Sequence, residues 1–496
     1  MRYRIKKGTY DNFIVSFPEY HSAQDISIEL KSIAKLNWRK NKILILIDSG
    51  LKSNDYGNLE GQIRNHLKRA IINDFIIINY SLEAEGLKRF ETIDQFIAGL
   101  KSHPINNSII IIHGKNKNQV KKLADVMHSN VSETCLEVDL DAITDNLNYY
   151  GSTVNPPNKV MAMVKANAYG HGIIEVAHHL KDKVDYFGVA YVHEGIILRK
   201  ENINTPIMVM NPSHGDFDNC ITHNLEPEIY SLNSLIHLNE LLNKKKNRLG
   251  IHIEIDTGMN RLGIDPTEID ELIKLLKHTK FIQVNGLYSH LACAEDPNED
   301  TFSKKQMNNF NAFAKKIESE LGIKTIKHIR NSAGTLRYPE SPTDMIRLGI
   351  GLYGVDSNKL YQDKLKNVST LRTVISQIRT VKKGETIGYN RTFNVHREMT
   401  IATIAIGYAD GFKRLFSNGI GKVIIHGKIV PVVGRVNMDM TMVDITEIEA
   451  KQGDEVIVFN EILSPIELAK NADTIPYEVF TSIGERVGRE YIVESK

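Results

Sequence analysis

The sequence has little cysteine and no strong excess of either charge. Its three cysteines, Cys135, Cys220 and Cys293, are too few for a paired disulfide framework, and their spacing does not match a zinc site. We therefore expect free thiols in a reducing compartment and no metal site. The 62 basic and 60 acidic residues give a net charge of +2, so electrostatics gives no reason to expect a nucleic acid or membrane surface as partner.

Long apolar segments are also lacking. The longest, such as Ile43–Ile47 and Ile109–Ile112, are far shorter than a bilayer-spanning helix. The segment Met1–Tyr20 lacks the apolar stretch of a secretory signal. We therefore expect no membrane segment and a cytoplasmic location. The phosphate-loop pattern G-x-x-x-x-G-K-[ST] is absent as well, so the sequence shows no machinery for ATP-driven ligation.

The chain of 496 residues is long enough for two to four domains, and its pattern changes twice. In residues 1–132, short apolar runs alternate with amphipathic stretches, which predicts a small Rossmann-like α/β domain with a joint near Ser129–Thr134. The expected strands are Ile43–Ile47, Phe75–Asn79 and Ile109–Ile112, and the expected helices are Leu59–Ile71, Ile93–Leu100 and Gln119–Met127.

Residues 137–370 contain eight apolar strand candidates, with helical stretches between several of them. Eight β/α units predict a closed (β/α)8 barrel of the TIM type, whose functional residues gather at the carboxyl ends of the strands. The fourth candidate is weak, which leaves an open sheet as the alternative. The candidates are Val160–Val164, Tyr186–Val192, Pro206–Met210, Pro227–Tyr230, Gly250–Ile255, Val284–Ser289, Ile326–Arg330 and Met345–Ile350.

Residues 371–496 contain strand-like runs with glycine-containing turns and little helix. This pattern predicts a mostly β C-terminal domain. Its expected strands are Val374–Thr380, Thr400–Ile406, Lys422–Ile425, Ile429–Val433, Thr441–Ile445 and Glu455–Phe459.

The strongest local signal is the segment Val164–Gly172, where an apolar strand runs into Lys165 and then into a glycine-containing turn. A lysine at the mouth of a barrel can be desolvated, which lowers its pKa and makes it a nucleophile for an aldehyde. Taken alone, a lysine at the end of a strand is more often a solvated surface charge. The surrounding motifs decide between these two interpretations.

This segment resembles the cofactor-lysine motif of bacterial alanine racemases, which are pyridoxal-phosphate enzymes of fold type III. Further motifs follow in the order of that family, so the resemblance covers roughly residues 135–496. They are Asp256–Gly263, Tyr288–His290, Asn331–Ala333, Arg347–Gly354, Gly388–Tyr389, Ile406–Gly411, Gly434–Asp439 and Tyr477–Val479.

The resemblance implies interconversion of L- and D-alanine, which supplies D-alanine for peptidoglycan. Lys165 would hold pyridoxal phosphate through its amino group and act as one acid/base group, and Tyr389 would act from the partner subunit of a homodimer on the opposite face of the substrate. His290 and Arg347 are candidates for the positive field that lowers the pKa of the tyrosine. Arg347 would also face the pyridine nitrogen, and because arginine does not readily lose its proton, transamination is disfavoured.

The resemblance also implies the remaining binding residues. Arg261 would contact the phenolic oxygen of the cofactor and the substrate carboxylate, which Met438 would help to hold. Many family members carry a carbamylated lysine seven residues before this arginine, and here the position is Glu254, whose carboxylate can replace the carbamate. Asn331 and Asp439 are expected as supporting residues. The expected phosphate-binding residues are Tyr169, Ser332, Gly349, Ile350 and Tyr477.

Three rival interpretations stay open beside the racemase. A barrel decarboxylase would carry an acidic residue where Arg347 stands, whereas a racemase of broader range is harder to exclude. A non-catalytic cofactor carrier would lack the β domain that carries Tyr389. A ligase-type or scaffold protein is the third, because residues 1–132 resemble the C-terminal domain of Mur ligases, particularly the D-alanyl-D-alanine-adding type, through Ile43–Asp48 and Ile109–Lys115. We expect that region to be a ligase remnant used in folding, assembly or docking.

Overall fold

The computed structural model describes residues 2–7, 12–17, 41–47, 74–78, 88–114, 116–127, 133–154 and 159–494. The chain forms two compact units. The barrel unit comprises Ala142–Val368 and Pro476–Thr481, and the sheet unit comprises Met1–Asp141, Ser369–Ile475 and Ser482–Lys496.

The N-terminal part of the sheet unit is a parallel sheet with helices packed on it. The strands are β1 (Arg2–Lys7), β2 (Phe13–Phe17), β3 (Asn41–Ile47), β4 (Asp74–Ile78), β5 (Lys88–Phe90) and β6 (Ser108–Gly114), followed by β7 (Cys135–Asp139). Strands β2, β6, β3, β4 and β5 pair in parallel in that order. All seven residues of β6 are buried, as expected for a parallel strand covered on both faces.

Two described helices bury their apolar faces against these strands. They are Ile93–Ser102 and Lys117–Met127. The first begins at Thr92, whose side chain accepts a hydrogen bond from the amide of Gln95 and so satisfies one free amide of the first turn. Phe96 and Leu123, one from each helix, lie in the same apolar core as the central strands.

The barrel unit contains eight parallel strands. They are β8 (Lys159–Met163), β9 (Tyr186–Val189), β10 (Ile207–Val209), β11 (Glu226–Ile229), β12 (Leu249–Glu254), β13 (Ile282–Tyr288), β14 (Ile326–His328) and β15 (Met345–Leu348). The helices of this part of the chain are Leu140–Ser152, Lys165–Tyr169, Ile173–Leu180, Val192–Lys200, Phe217–Thr222, Leu232–Lys245, Ile269–Lys277, Asp300–Leu321, Ser332–Arg337 and Pro476–Thr481.

The eight strands close into a barrel. Their order is β14-β13-β12-β11-β10-β9-β8-β15. The remaining gap between β14 and β15 is bridged by backbone hydrogen bonds from Arg347 to Arg330, 3.0 Å, and from Asp344 to Lys327, 2.8 Å. The predicted TIM-type barrel is confirmed, including its weak fourth strand β11, and the open-sheet alternative is wrong.

The C-terminal part of the sheet unit is mostly β, as predicted. Its strands are β16 (Ser369–Val381), β17 (Thr386–Ile387), β18 (Phe393–Asn394), β19 (Met399–Ile404), β20 (Lys422–Ile425), β21 (Lys428–Pro431), β22 (Thr441–Asp444), β23 (Glu455–Phe459) and β24 (Gly488–Glu494). One further helix, Pro465–Asn471, begins at Ser464, which caps it. The long strand β16 pairs with β7, β19 and β23.

The last strand joins both ends of the chain in one sheet. Strand β24 runs parallel to β7 and antiparallel to β1, with Tyr3 opposite Val493. A single 14-stranded sheet therefore runs through the described residues of the sheet unit. The domain boundaries at 132 and 370 remain predictions, as does the helix Leu59–Ile71, which lies outside the described residues.

Among the helices of the described residues, none combines the length and the apolar character that crossing a membrane requires. The described ranges also hold no cluster of three or more histidine, cysteine, aspartate or glutamate side chains with the geometry of a metal site.

Candidate active site

The predicted cofactor lysine stands at the mouth of the barrel, directly after β8, and begins a left-handed turn. The following residues Ala166, Asn167, Ala168 and Tyr169 all have φ between 51° and 55°. Left-handed backbone costs roughly 1–2 kcal/mol for each residue with a Cβ. Four such residues in a row form a strained segment, and strain of this kind concentrates at functional sites.

Glu194 holds this turn in place. Its carboxylate accepts a hydrogen bond from the Ala166 amide at 2.6 Å, and also from the amides of Ala190 at 2.8 Å and Tyr191 at 3.2 Å. Three amide donors to one buried carboxylate satisfy its charge and fix the exit of β8. Glu194 is not among the predicted site residues. Tyr191, three residues before it, is not the serine or threonine that begins a capping box, so no local pattern points to Glu194.

The amino group of Lys165 lies in surroundings that disfavour its positive charge. Burial lowers its pKa from the ordinary value of 10.5, and the nearby guanidinium groups of Arg261 and Arg347 lower it further, against the opposing effects of Glu194 and Glu228. A lower pKa increases the fraction of neutral amine, which is the form that attacks an aldehyde. The surface-lysine interpretation therefore fails for this residue.

Arg347 is buried and fixed by several acceptors. Its guanidinium donates to the carbonyl oxygens of Ser289 at 2.8 Å and His328 at 2.9 Å, to Nδ1 of His328 at 3.0 Å and to Nδ1 of His290 at 3.3 Å. The guanidinium also lies over the Tyr288 ring, 5.2 Å from its centre. So many acceptors hold the positive charge in one position at the carboxyl end of β15.

His290 does not share that positive charge. Burial lowers its pKa well below 6.5, and the cations Arg347, Arg261 and Lys165 lower it further. Its ring is therefore neutral at pH 7, and its Nδ1 accepts from Arg347. The sequence predicted a positive field from both His290 and Arg347. Of these two residues, only Arg347 carries the positive charge.

An anion cradle lies between the ends of β14 and β15. The Ser332 hydroxyl accepts hydrogen bonds from the amides of Gly349 at 2.9 Å and Gly351 at 3.4 Å. A Cβ at Gly349 would lie 2.7 Å from the Tyr169 hydroxyl, so only glycine lets this hydroxyl approach the backbone. The Tyr477 ring lies 5.9 Å from that of Tyr169. Hydroxyl groups and backbone amides gathered in this way suit a phosphate.

Asn331 supports the cradle, because its side chain caps the helix Ser332–Arg337 by accepting from the Gly334 amide at 2.8 Å. Ile350 is buried in the short 3-10 helix that follows Gly349. The cradle thus combines residues of four separate predicted motifs within the barrel unit.

The loop that carries Arg261 is ordered by Asp256. Its carboxylate accepts hydrogen bonds from the amides of Gly258, Met259 and Asn260 at 2.8, 3.0 and 3.2 Å. This carboxylate belongs to a predicted motif, but its role as the organiser of the loop was not foreseen.

Glu254 is buried at the end of β12, with only 4% of its surface exposed, so the alternative of a solvent-facing glutamate is wrong. It lies against a second buried carboxyl group, Glu228 on β11. Burial raises the pKa of Glu228 well above 4.5, the hydrogen bond with Glu254 raises it further, and Tyr288 and Arg261 oppose the shift. The shift favours the protonated, neutral form of Glu228 beside the cation Arg261.

The sheet unit presents Tyr389 and Met438 at its surface, with 67% and 52% of their area exposed. Arg486 orders the segment that carries Met438, because it binds Asp410 and Asp439, each at 2.7 Å. The Met438 carbonyl accepts a hydrogen bond from the Ala409 amide at 3.0 Å, which fixes the backbone of this segment further.

Comparisons with known proteins show the family of this chain. The family model described as alanine racemase, N-terminal domain, matches residues 138–357, and that described as alanine racemase, C-terminal domain, matches residues 368–491. Alanine racemase 2 of Bacillus subtilis is 39% identical over 376 residues, which is 73% of this chain and 95% of that protein. An alanine racemase of Helicobacter pylori is 36% identical over 372 residues, which is 72% of this chain and 98% of that protein.

Solved structures show the same likeness. An alanine racemase of Clostridium difficile has a TM-score of 0.69 at 36% identity and covers 73% of this chain and 98% of its own. A structure of the Bartonella henselae alanine racemase with covalently bound pyridoxal phosphate has a TM-score of 0.67 at 31% identity. The match covers 72% of this chain and 99% of that chain. Two family models that together span most of the chain, and relatives of this identity, place the chain in the alanine racemase family.

Proposed function

We propose that this chain interconverts L- and D-alanine with pyridoxal phosphate as cofactor, using Lys165 and Tyr389 as its two acid/base groups. The observation that carries the proposal is the buried amino group of Lys165, whose pKa is lowered by burial and by two neighbouring guanidinium groups. When bound, pyridoxal phosphate withdraws electrons from the substrate and so makes the proton on its Cα acidic. The chain has to supply two groups that move this proton.

The residues of the barrel unit fit the chemical groups of this cofactor. Lys165 would meet its aldehyde, Arg347 its ring nitrogen and Arg261 its phenolic oxygen. The cradle would hold its phosphate through Tyr169, Ser332, Gly349, Ile350 and Tyr477. The fit rests on the cluster of three cations and on the hydroxyl and amide groups beside Gly349.

Racemisation needs a proton to leave one face of Cα and to return on the other. Lys165 serves one face. We assign the other face to Tyr389 of a second protomer, with the Met438 backbone helping to hold the substrate carboxylate, so that a homodimer shares its sites. The exposure of both residues supports this assignment, because a side chain that acts in a neighbouring site has to be accessible on its own protomer.

Arg347 favours racemisation over side reactions. A guanidinium keeps its proton, so a ring nitrogen held against Arg347 would stay unprotonated, and the bound cofactor would stabilise negative charge on the substrate only weakly. Lys165 or Tyr389 would then return a proton to Cα quickly. A decarboxylase would need an acidic group at this position.

Glu254 and Glu228 take the place of the carbamylated lysine of other family members. A proton shared by the two carboxyl groups would leave one net negative charge, which could pair with Arg261 without any dependence on carbon dioxide. The pair would orient Arg261 toward the substrate carboxylate.

For residues 1–132 we propose a ligase-derived domain without ligase activity, used in folding, assembly or docking. Cys220 and Cys293 form no disulfide, which suits a reducing cytoplasm, where D-alanine enters peptidoglycan synthesis. ATP-dependent ligation of D-alanine by the purified chain would contradict the proposal for this domain.

Replacement of Lys165 tests the proposed function. We expect Lys165→Ala to abolish both the visible absorption of bound pyridoxal phosphate and the formation of D-alanine from L-alanine, a loss of about 10⁴-fold or more. Lys159→Ala is the matched control at the other end of β8, where the lysine makes only an exposed ion pair with Asp185 at 3.1 Å. Activity in Lys165→Ala equal to that of Lys159→Ala would reject the proposal.

A further inference from the structure

A line of polar side chains crosses the interior of the barrel behind Arg347. The guanidinium meets Nδ1 of His328 at 3.0 Å, Nε2 of His328 meets Nδ1 of His252 at 3.0 Å, and Nε2 of His252 meets the Glu226 carboxylate at 2.8 Å. Both histidine rings are fully buried, whereas the Glu226 side chain keeps 15% of its surface exposed. The line starts at the carboxyl end of β15 and ends at the first residue of β11.

The backbone of β13 makes room for this line. His252 belongs to β12 and His328 to β14, and β13 lies between those strands. Gly286 of β13 is the register partner of His252. A Cβ at Gly286 would lie 2.1 Å from Nδ1 of His252, so the imidazole passes through space that any other residue would fill.

Only one arrangement of protons satisfies the whole line with neutral rings. A guanidinium donates and never accepts, so Nδ1 of His328 has to be the acceptor and its proton sits on Nε2. That proton is donated to Nδ1 of His252, whose own proton then sits on Nε2 and points at Glu226. Burial lowers the pKa of His328 well below 6.5, and Arg347 and His252 lower it further, so a doubly protonated ring is excluded at pH 7.

The end of the line is a carboxylate with several donors. Burial raises the pKa of Glu226, but hydrogen bonds from His252, Asn285 and Tyr186 outweigh this effect and bring it below 4.5. Glu226 therefore remains ionised and accepts throughout the neutral range. Tyr288 stacks on His328, 5.0 Å between ring centres, and the Tyr186 ring meets His252 edge-on at 5.5 Å, which prevents either imidazole from turning freely.

We propose that Glu226 is a positioning residue for racemisation, which fixes the tautomers of His252 and His328 and thereby the orientation of Arg347. This inference rests on the proposed function for the role of Arg347, but the proton arrangement itself does not. If His252 carried its proton on Nδ1, it would face the Nε2 proton of His328. Relieving that conflict would turn an N–H of His328 toward Arg347 and remove one of the acceptors that hold the guanidinium.

The proton positions can be observed by neutron diffraction from deuterated crystals of the full chain. We expect deuterium on Nε2 of both His252 and His328 and none on Nδ1 of either ring. Deuterium on Nδ1 of either ring in the unaltered protein would overturn the proposal. This readout does not depend on activity, so it stands apart from the fate of the proposed function.

Two substitutions at Glu226 separate the charge from the acceptor. Glu226→Leu removes the acceptor, and we expect kcat to fall by about 10- to 100-fold with the KM for alanine changed less than about twofold. Glu226→Gln keeps a carbonyl acceptor without the charge, and we expect a fall of about two- to tenfold. The absorption band of the bound cofactor should shift in Glu226→Leu, because Arg347 would face its ring nitrogen.

Two further variants guard against a merely structural explanation. Tyr186→Phe removes one donor to the same carboxylate but leaves the acceptor for His252, and it should retain kcat within about twofold. Gly286→Ala blocks the passage of the His252 ring and should reproduce the band shift of Glu226→Leu. If Glu226→Leu does not fold, Glu226→Gln and Gly286→Ala provide the test. Wild-type kcat and an unshifted absorption band in both of these variants would overturn the proposal for Glu226. The proposed racemase function would not be affected by that result, because it is tested separately by Lys165→Ala.

Discussion

In the barrel unit Arg347, Glu254 and Ser332 are buried, whereas in the sheet unit Tyr389 and Met438 expose more than half of their surface. Arg347 donates to four different residues, and the turn after Lys165 is fixed by the Glu194 carboxylate. The difference teaches that each unit supplies a different kind of group. The barrel provides a preorganised site, and the sheet unit provides accessible groups suited to a site on a neighbouring protomer.

Among changes that leave the cofactor bound, the largest effect is expected on the exposed side of this comparison. Tyr389→Phe removes only a hydroxyl from an accessible ring, yet it should lower kcat by about 10²- to 10⁴-fold, because one of the two proton-transfer groups is lost. The absorption band of bound pyridoxal phosphate should stay unchanged, since the barrel residues that hold the cofactor are intact. A loss of the band together with activity would contradict the separation of roles between the two units.

The preorganisation of the barrel can be weakened without touching a reacting group. Glu194→Gln replaces a carboxylate that accepts three amide hydrogen bonds, and we expect kcat to fall by about 10- to 100-fold as the strained turn after Lys165 loosens. Cofactor affinity, measured by titration of the apoprotein and followed by absorption, should fall as well. Wild-type affinity and kcat would show that the turn needs no such brace.

A smaller effect is expected from the carboxyl pair. Glu254→Gln should raise the KM for alanine by about three- to tenfold, because Arg261 loses part of its anionic partner. Glu228 can then ionise in its place, so the double replacement of both glutamates by glutamine should raise KM further than either single change. Added bicarbonate should change none of these values. Wild-type kinetics in the double variant would reject the replacement of a carbamate by this pair.

The pH dependence follows from the lowered pKa of Lys165. A lysine reacts with an aldehyde only as the neutral amine, and a lowered pKa shifts the midpoint for that form below 10.5. The rate at which the apoprotein binds pyridoxal phosphate should therefore rise with pH and level off below the pH at which a solvent-exposed lysine would. A rate that keeps rising through pH 10.5 would contradict the desolvated lysine.

Much of the fold could be predicted from the sequence, because buried parallel strands appear as short apolar runs. Every barrel strand, down to the weak β11, lies where the pattern placed it. The left-handed turn after Lys165 could not be predicted, because alanine and tyrosine carry no local signal for positive φ. The line of side chains from Arg347 to Glu226 could not be predicted either. Its residues lie far apart in the sequence and meet only when the barrel closes.

The pairing of β24 with β1 was also out of reach. It joins the two ends of the chain, and no local pattern specifies a partner so distant in sequence. Tyr389 is an intermediate case. The motif Gly388–Tyr389 identified the residue from the sequence, whereas its exposure could be seen only in the structure.

The most direct test of a site shared between protomers is a mixed dimer of Lys165→Ala and Tyr389→Phe chains, co-expressed with two different tags and purified through both. In such a dimer one site combines the unaltered Lys165 of one protomer with the unaltered Tyr389 of the other, and the second site carries both changes. The account predicts about half of the wild-type activity per dimer, from two chains that are each nearly inactive alone. A mixed dimer no more active than either parent would contradict it.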